Sequence, residues 1–213
     1  YPGSTKQHLY TNAIRPYARA NHIRIGFPTR FTPKGSRVEP LFMSSRDGIT
    51  FKRYNDPVIP QSPPQDRAGN RSNYMTHGLL SLPGKPDELS VYATEAYYTG
   101  PDSRVRRFSY RVDGFVSINA GTQSGELITK PFRFTGSKLS LNAATGSNGS
   151  LRWELQTASG KAIKNLTFED TQPFTGDKTD YVVSSPELKK HAGQTVRLRI
   201  QLQNADLFSI RFR

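Results

Sequence analysis

Glu95 lies in the stretch Tyr92-Ala93-Thr94-Glu95-Ala96-Tyr97-Tyr98, a carboxylate among small and aromatic neighbours. Burial in such surroundings disfavours the charged form, which is how a carboxylic acid is kept protonated for general-acid work. Asp47, in Ser45-Arg46-Asp47-Gly48, is the second candidate. The chemistry open to two carboxyl groups is cleavage of a glycosidic bond: one protonates the leaving oxygen, and the other attacks or activates water. Each residue also has a plain structural reading. Glu95 can face solvent or pair with Arg106 or Arg107, and lone carboxylates usually do one of the two. Asp47 before Gly48 is explained by turn geometry alone.

Around these carboxylates stand residues suited to hydroxyl groups. The segment Asn70-Arg71-Ser72-Asn73-Tyr74-Met75-Thr76-His77 offers amides, a guanidinium, a phenol ring and an imidazole. Asn73, Tyr74 and His77, with Arg46 and Tyr97, are the expected substrate contacts; the alternative is a loop held by its own turns. The four histidines show no metal-binding spacing, so no metal is expected. Phosphate-binding loops and nucleophile-elbow motifs do not occur, and no cofactor is expected.

The elements that must position these residues read as strands. Phe and Tyr are abundant, and both favour pleated, half-buried surfaces. Ile23, Ile25 and Phe27 alternate with polar or small residues, and Asp47-Gly48 between β-prone runs at 41–53 predicts a tight hairpin. Prolines fill a long loop at 54–73. Strands follow near 74–82, at 89–98 and at 105–112, with a turn at Pro83-Gly84-Lys85-Pro86. In the last strand Phe108, Tyr110 and Val112 take one face and Arg107 and Arg111 the other.

The second half alternates more regularly. Lys138–Asn142 reads as a short strand, closed by a turn at Thr145-Gly146-Ser147-Asn148-Gly149. Leu151, Trp153 and Leu155 alternate with Arg152, Glu154 and Gln156. Val196, Leu198, Ile200 and Leu202 alternate with Arg197, Arg199, Gln201 and Gln203. The same alternation is expected to run on through Leu207, Ser209 and Arg211 against Phe208, Ile210 and Phe212. Pro186 to His191 suits one helical turn. Short alternating strands at this spacing predict an all-β chain with an antiparallel β-sandwich over 113–213.

With no cysteine in the chain, disulfides and thiolate metal sites are excluded. No apolar run approaches the roughly 20 residues that span a bilayer, so no membrane partner is expected. The net charge is +13, and its excess lies mostly in residues 1–112, where 17 Lys and Arg stand against 8 Asp and Glu. A field of that sign attracts polyanions, an acidic polysaccharide among them; it also serves plain solubility. Nucleic acid is ranked last, because alternation puts Phe108 and Tyr110 opposite Arg107 and Arg111 rather than beside them.

Five segments carry a family resemblance: Leu41–Gly48, Leu89–Glu95, Arg106–Ser117, Gly125–Pro131 and Asn204–Phe212. Through them the chain resembles bacterial glycoside hydrolase family 32-like proteins over most of its length. The Ser-x-Asp-Gly-x-x-Phe pattern at 45–51 is similar to one found in blades of propeller glycosidases. The resemblance implies a five-bladed β-propeller followed by a β-sandwich, a glycosidase-like role on a carbohydrate, and an exported setting. A blade takes roughly 40–50 residues, so residues 1–112 would hold about two blades of an incomplete propeller. The chain is therefore expected to be the C-terminal part of a longer protein. The family's nucleophilic aspartate lies on the first blade, and no residue here matches it. A non-catalytic carbohydrate-binding or structural module is the alternative to the enzyme.

Overall fold

The computed structural model describes residues 6–34, 37–59, 73–95, 101 and 103–213. They form an all-β protein in which every strand pairing is antiparallel, with one short helix. The chain divides into two compact units, Tyr1–Arg111 and Val112–Arg213.

The first unit begins with β1 (His8–Tyr10), β2 (Arg15–Tyr17), β3 (Ala20–Gly26), β4 (Thr29–Thr32), β5 (Arg37–Pro40), β6 (Met43–Ser45) and β7 (Lys52–Arg53). These sort into two sheets, ordered β1-β4-β5 and β2-β3-β6-β7. The two sheets are halves of one meander. Four successive chain segments (8–17, 20–32, 37–45 and 52–53) each pair with the next, and each of the first three changes sheet part-way along. The change falls at Pro28 in the second segment, where proline has no N–H for the ladder. Bonds from Phe27 N to Asn12 O (2.9 Å) and from Leu41 N to the Pro28 carbonyl (2.8 Å) join the halves across the break.

A third sheet contains β8 (Tyr74–Met75), β9 (Glu88–Glu95) and β10 (Arg104–Arg111), in the order β10-β9-β8. The expected strand near 74–82 is thus only two residues long, with a single further bridge from Leu80 to Ser90. Ile25, Phe27, Leu41, Phe42, Ile59, Leu89, Val91 and Ala93 are buried in this unit. Tyr110 stacks on Phe27 at 6.2 Å and donates its hydroxyl to the Val58 carbonyl. Burial pushes the Tyr110 phenol above its ordinary pKa.

The hairpin at 41–53 forms, but it is wider than a tight Asp-Gly turn. Ser44 pairs with Lys52, and seven residues from Ser45 to Phe51 intervene. Asp47 explains the width. Its Oδ1 accepts from Ile49 N (2.9 Å), Thr50 N (2.7 Å) and Ser45 Oγ (2.8 Å), while Gly48, at φ +77°, donates its N–H to Ser45 Oγ. An acidic side chain that bonds its own downstream backbone builds a larger loop than a two-residue turn.

The second unit is one sheet ordered β11-β15-β13-β14, with β12 also on β15. The ranges are β11 Ile118–Ala120, β12 Gly125–Ile128, β13 Lys138–Thr157, β14 Asp177–Ser184 and β15 Val196–Phe212; α1 (Pro186–Lys190) precedes β15. Ser185 caps α1 by accepting from Glu187 N at 3.2 Å, and Pro186 opens it, the position where a missing N–H costs nothing.

Two expectations change here. Residues 145–149 do not end a strand: β13 runs through them, and its register with β15 slips from Thr145↔Ala205 to Ser150↔Gln203. Gly146 to Gly149 bulge out, Asn148 takes φ +58°, and the Asn204 side chain donates to the Ser147 carbonyl at 2.8 Å. The same Gly and Asn residues that signal a turn also build a bulge. A second slip puts Asn142 opposite Ser209 but Ala143 opposite Leu207. Phe208 is the extra residue, so Leu207, Ile210 and Phe212 share a face and the simple alternation fails. The bulge at 146–149 divides the long ladder into two arms whose apolar side chains join one core: Leu139, Leu141, Leu151, Trp153, Leu155, Leu198, Ile200, Leu202 and Leu207.

Among the described residues no helix is long and apolar enough to cross a membrane.

Candidate functional site

The β9–β10 register settles which side chains can meet. Glu95 lies opposite Arg104, Ala93 opposite Arg106, Val91 opposite Phe108 and Leu89 opposite Tyr110. Directly opposed residues point to the same side of an antiparallel pair. One face of this ladder is therefore apolar along most of its length and ionic at one end.

Glu95 is 0% exposed. Its Oε2 meets Arg104 Nε at 3.0 Å and Arg106 Nε at 2.9 Å. The two arginine side chains stay 41% and 37% exposed. Of the two partners left open by the sequence, Arg106 shares the face of Glu95 and Arg107 does not. Arg107 turns to the other face, where it pairs with Glu88 and donates Nε–H to Ser90 Oγ at 3.0 Å. Lys85, at 3.1 Å, and then Arg107 hold the Glu88 carboxyl below the usual carboxylate range. Arg104 is the partner that sequence reasoning missed; only the residue-by-residue register, which a composition pattern does not contain, could reveal it.

Asn73 joins this row. Tyr74 lies opposite Thr94, and its N–H donates to Thr94 Oγ1 at 3.1 Å, so Asn73 falls beside Glu95 at the same end of the sheet. Asn73 is fully buried and donates its backbone N–H to the Val38 carbonyl at 3.3 Å. Tyr74 is half-buried on the alternate face. The structure thus brings Glu95, Asn73 and Tyr74 onto adjoining strands.

The remaining expected residues lie apart from that row. His77 is exposed beyond the end of β8. Arg46 and Asp47 are exposed on the β6–β7 loop, which belongs to another sheet. The loop bonds to Asp47 hold its carboxyl well below the usual range, the backbone donors of Ile49 and Thr50 contributing most. Tyr97 lies outside the described residues, as do 70–72.

Two other charged groups are buried or bracketed. Arg30 and Glu39 stand opposite each other on β4 and β5, with Nη2 to Oε2 at 2.7 Å, and Arg30 Nη1 donates to the Asn55 carbonyl at 2.9 Å. In the second unit Arg199 lies between Glu126 (2.5 Å) and Glu154 (3.2 Å), with its guanidinium 5.2 Å from the centre of the Phe168 ring. Among the described residues no three His, Asp or Glu side chains gather as a metal site would require.

The row at 73, 95, 104 and 106 can hold, rather than move, charge. A buried carboxylate engages two guanidinium groups through their Nε atoms, and both arginine side chains stay partly exposed. Guanidinium donors suit oxygen acceptors such as hydroxyl, carboxylate or sulfate groups.

No protein-family model and no curated protein sequence matches the chain. Among solved structures it is similar to the crystal structure of a glycoside hydrolase family 43 arabinoxylan arabinofuranohydrolase from Bacillus subtilis in complex with cellotetraose. The sequence identity is 10% and the TM-score 0.30, over 95% of this chain and 53% of that one. The chain therefore spans about half the length of that enzyme, which belongs to family 43 and not to family 32.

Proposed function

We propose that this chain is part of a carbohydrate-active, glycosidase-like protein, and that its first unit recognises a glycan. The observation that carries the reading is the convergence of Asn73, Glu95, Arg104 and Arg106 at one end of the β8–β9–β10 sheet. Donors held in fixed positions beside a buried anchor are what hydroxyl-rich ligands require. Two of the segments that resemble family 32-like proteins, 89–95 and 106–117, run through the strands that build this row. The four-segment meander of 8–53 is the kind of repeat from which a propeller blade is made, so incomplete propeller blades remain part of the proposal, with an exported setting suited to a polysaccharide ligand.

Recognition without cleavage is favoured over catalysis by how the two candidate carboxylates are used. Oε2 of Glu95 is engaged by two arginines, and Oδ1 of Asp47 by three donors of its own loop. The enzyme reading keeps Glu95 as general acid. One assay separates them. The protein is incubated with a panel of plant, bacterial and algal polysaccharides, and both reducing-end release and retention in polysaccharide-containing gels are recorded. Retention without release supports recognition. Release that vanishes in Glu95→Gln supports catalysis. Neither retention nor release with any polysaccharide overturns the carbohydrate reading.

A further inference from the structure

Resting on the carbohydrate reading, we infer that Arg104 and Arg106 form a two-pronged anion site, anchored by Glu95, for the carboxylate or sulfate groups of an acidic glycan. The two arginines sit two residues apart on one face of β10, about 7 Å along the strand. Both reach the same buried oxygen with Nε, Arg104 in a hydrogen bond at 3.0 Å and Arg106 in an ion pair at 2.9 Å. That contact fixes the planar groups and removes much of the freedom a lone surface arginine would lose on binding. Their Nη atoms make no further hydrogen bond among the described residues, and the side chains remain 41% and 37% exposed.

Two arginines, both more than a third exposed and both within 3.0 Å of one fully buried carboxylate, set this cluster apart. Arg199 is bracketed by two carboxylates, Glu126 and Glu154. Glu39 also holds two arginines, but Arg30 is buried there and Arg37 stands off at 3.4 Å, and Arg107 shares Glu88 with Lys85. At Glu95 two cations share one anion, so the cluster keeps a net positive charge in the half of the chain that already carries most of the excess. A guanidinium matches carboxylate and sulfate oxygens with paired donors, whereas an ammonium is a single point of charge. The site is therefore expected to distinguish an anionic substituent from a hydroxyl.

The test uses the full chain and the double variant Arg104→Lys/Arg106→Lys. This variant keeps the net charge and a cation beside Glu95, so folding is preserved; circular dichroism and the melting temperature check it. Retention is measured by affinity electrophoresis in gels containing polygalacturonate, dextran sulfate or neutral hydroxyethyl cellulose. The native chain is expected to be retarded by one of the two anionic polymers, and the variant to bind that polymer about tenfold more weakly. Equal retention of both proteins by the anionic polymers assigns binding to overall charge and overturns the site. Retention by hydroxyethyl cellulose alone overturns the anion site and leaves the carbohydrate reading standing. If no polymer retains the protein, sodium sulfate decides: a rise in melting temperature for the native chain and not for the variant keeps the anion site and sinks the sugar, and no difference sinks both.

Discussion

Asp47 shows how one side chain can account for a loop and for a response to acid. Its carboxylate accepts hydrogen bonds from Ile49, Thr50 and Ser45, and these bonds lower its pKa in the folded protein. In the unfolded chain the group titrates near the ordinary value of about 4. A depressed folded pKa means that the carboxylate contributes stability above about pH 4, and that the contribution is lost as pH falls from there through the folded value. The difference in melting temperature between the native chain and Asp47→Ala is therefore expected to be constant from pH 7 to 5 and to shrink steadily below pH 4. A difference that stays the same down to pH 2.5 would show that the hydrogen bonds do not depend on ionisation. The residue was legible as a turn former from its place before Gly48. Its reach to Thr50 was not, because Asp-Gly serves both a two-residue turn and a wider loop.

At the scale of elements, most of what stacks in register was readable and most of what slips was not. Leu151, Trp153 and Leu155, and Val196 to Leu202, alternate in sequence and are buried as alternation requires. The helical turn at Pro186 follows from a serine cap and a first-turn proline. The bulges were hidden, because an inserted residue shifts the phase of the pattern without announcing itself, and Phe208 is as apolar as the residues it displaces from register. The same blindness hid Arg104, whose pairing with Glu95 depends on counting from one end of a ladder to the other. The bulge at 146–149 makes its own prediction. A Cβ on Gly149 would run into the Asn204 carbonyl, whereas one on Gly193 meets nothing within 4 Å. Gly193 instead sits at φ +80°, where a side chain costs about 1 kcal/mol. Gly149→Ala must move backbone, and overpacking of that kind costs typically 1–3 kcal/mol or more. Urea unfolding followed through Trp153, the chain's one tryptophan, is expected to show a larger loss for Gly149→Ala than for Gly193→Ala. The reverse order would mean that the bulge relaxes freely.

At the scale of the whole molecule, the units Tyr1–Arg111 and Val112–Arg213 differ in how their cores are made. The first distributes its apolar side chains over three small sheets. The second gathers Ala120, Leu139, Trp153, Leu188, Ile200 and their neighbours into one cluster whose every member falls between residues 120 and 207. Its long ladder is closed by local partners as well: Ser137 and Lys138 donate their N–H groups to the Arg213 carbonyl, and Arg213 pairs with Asp180 at 2.7 Å. A unit of about 100 residues with its own core lies in the size range of domains that fold alone. Residues 112–213 produced as a separate chain are therefore expected to unfold in one cooperative transition, with Trp153 emission shifting from buried to exposed at the same urea concentration as loss of the far-ultraviolet signal. Strong binding of an apolar dye at neutral pH, or emission that shifts before the strands are lost, would mean that this core needs the rest of the chain. Independent folding would allow the anionic-glycan measurements to be repeated without the first unit. Retention by polygalacturonate or dextran sulfate should then be absent, because Glu95, Arg104 and Arg106 all lie before residue 112.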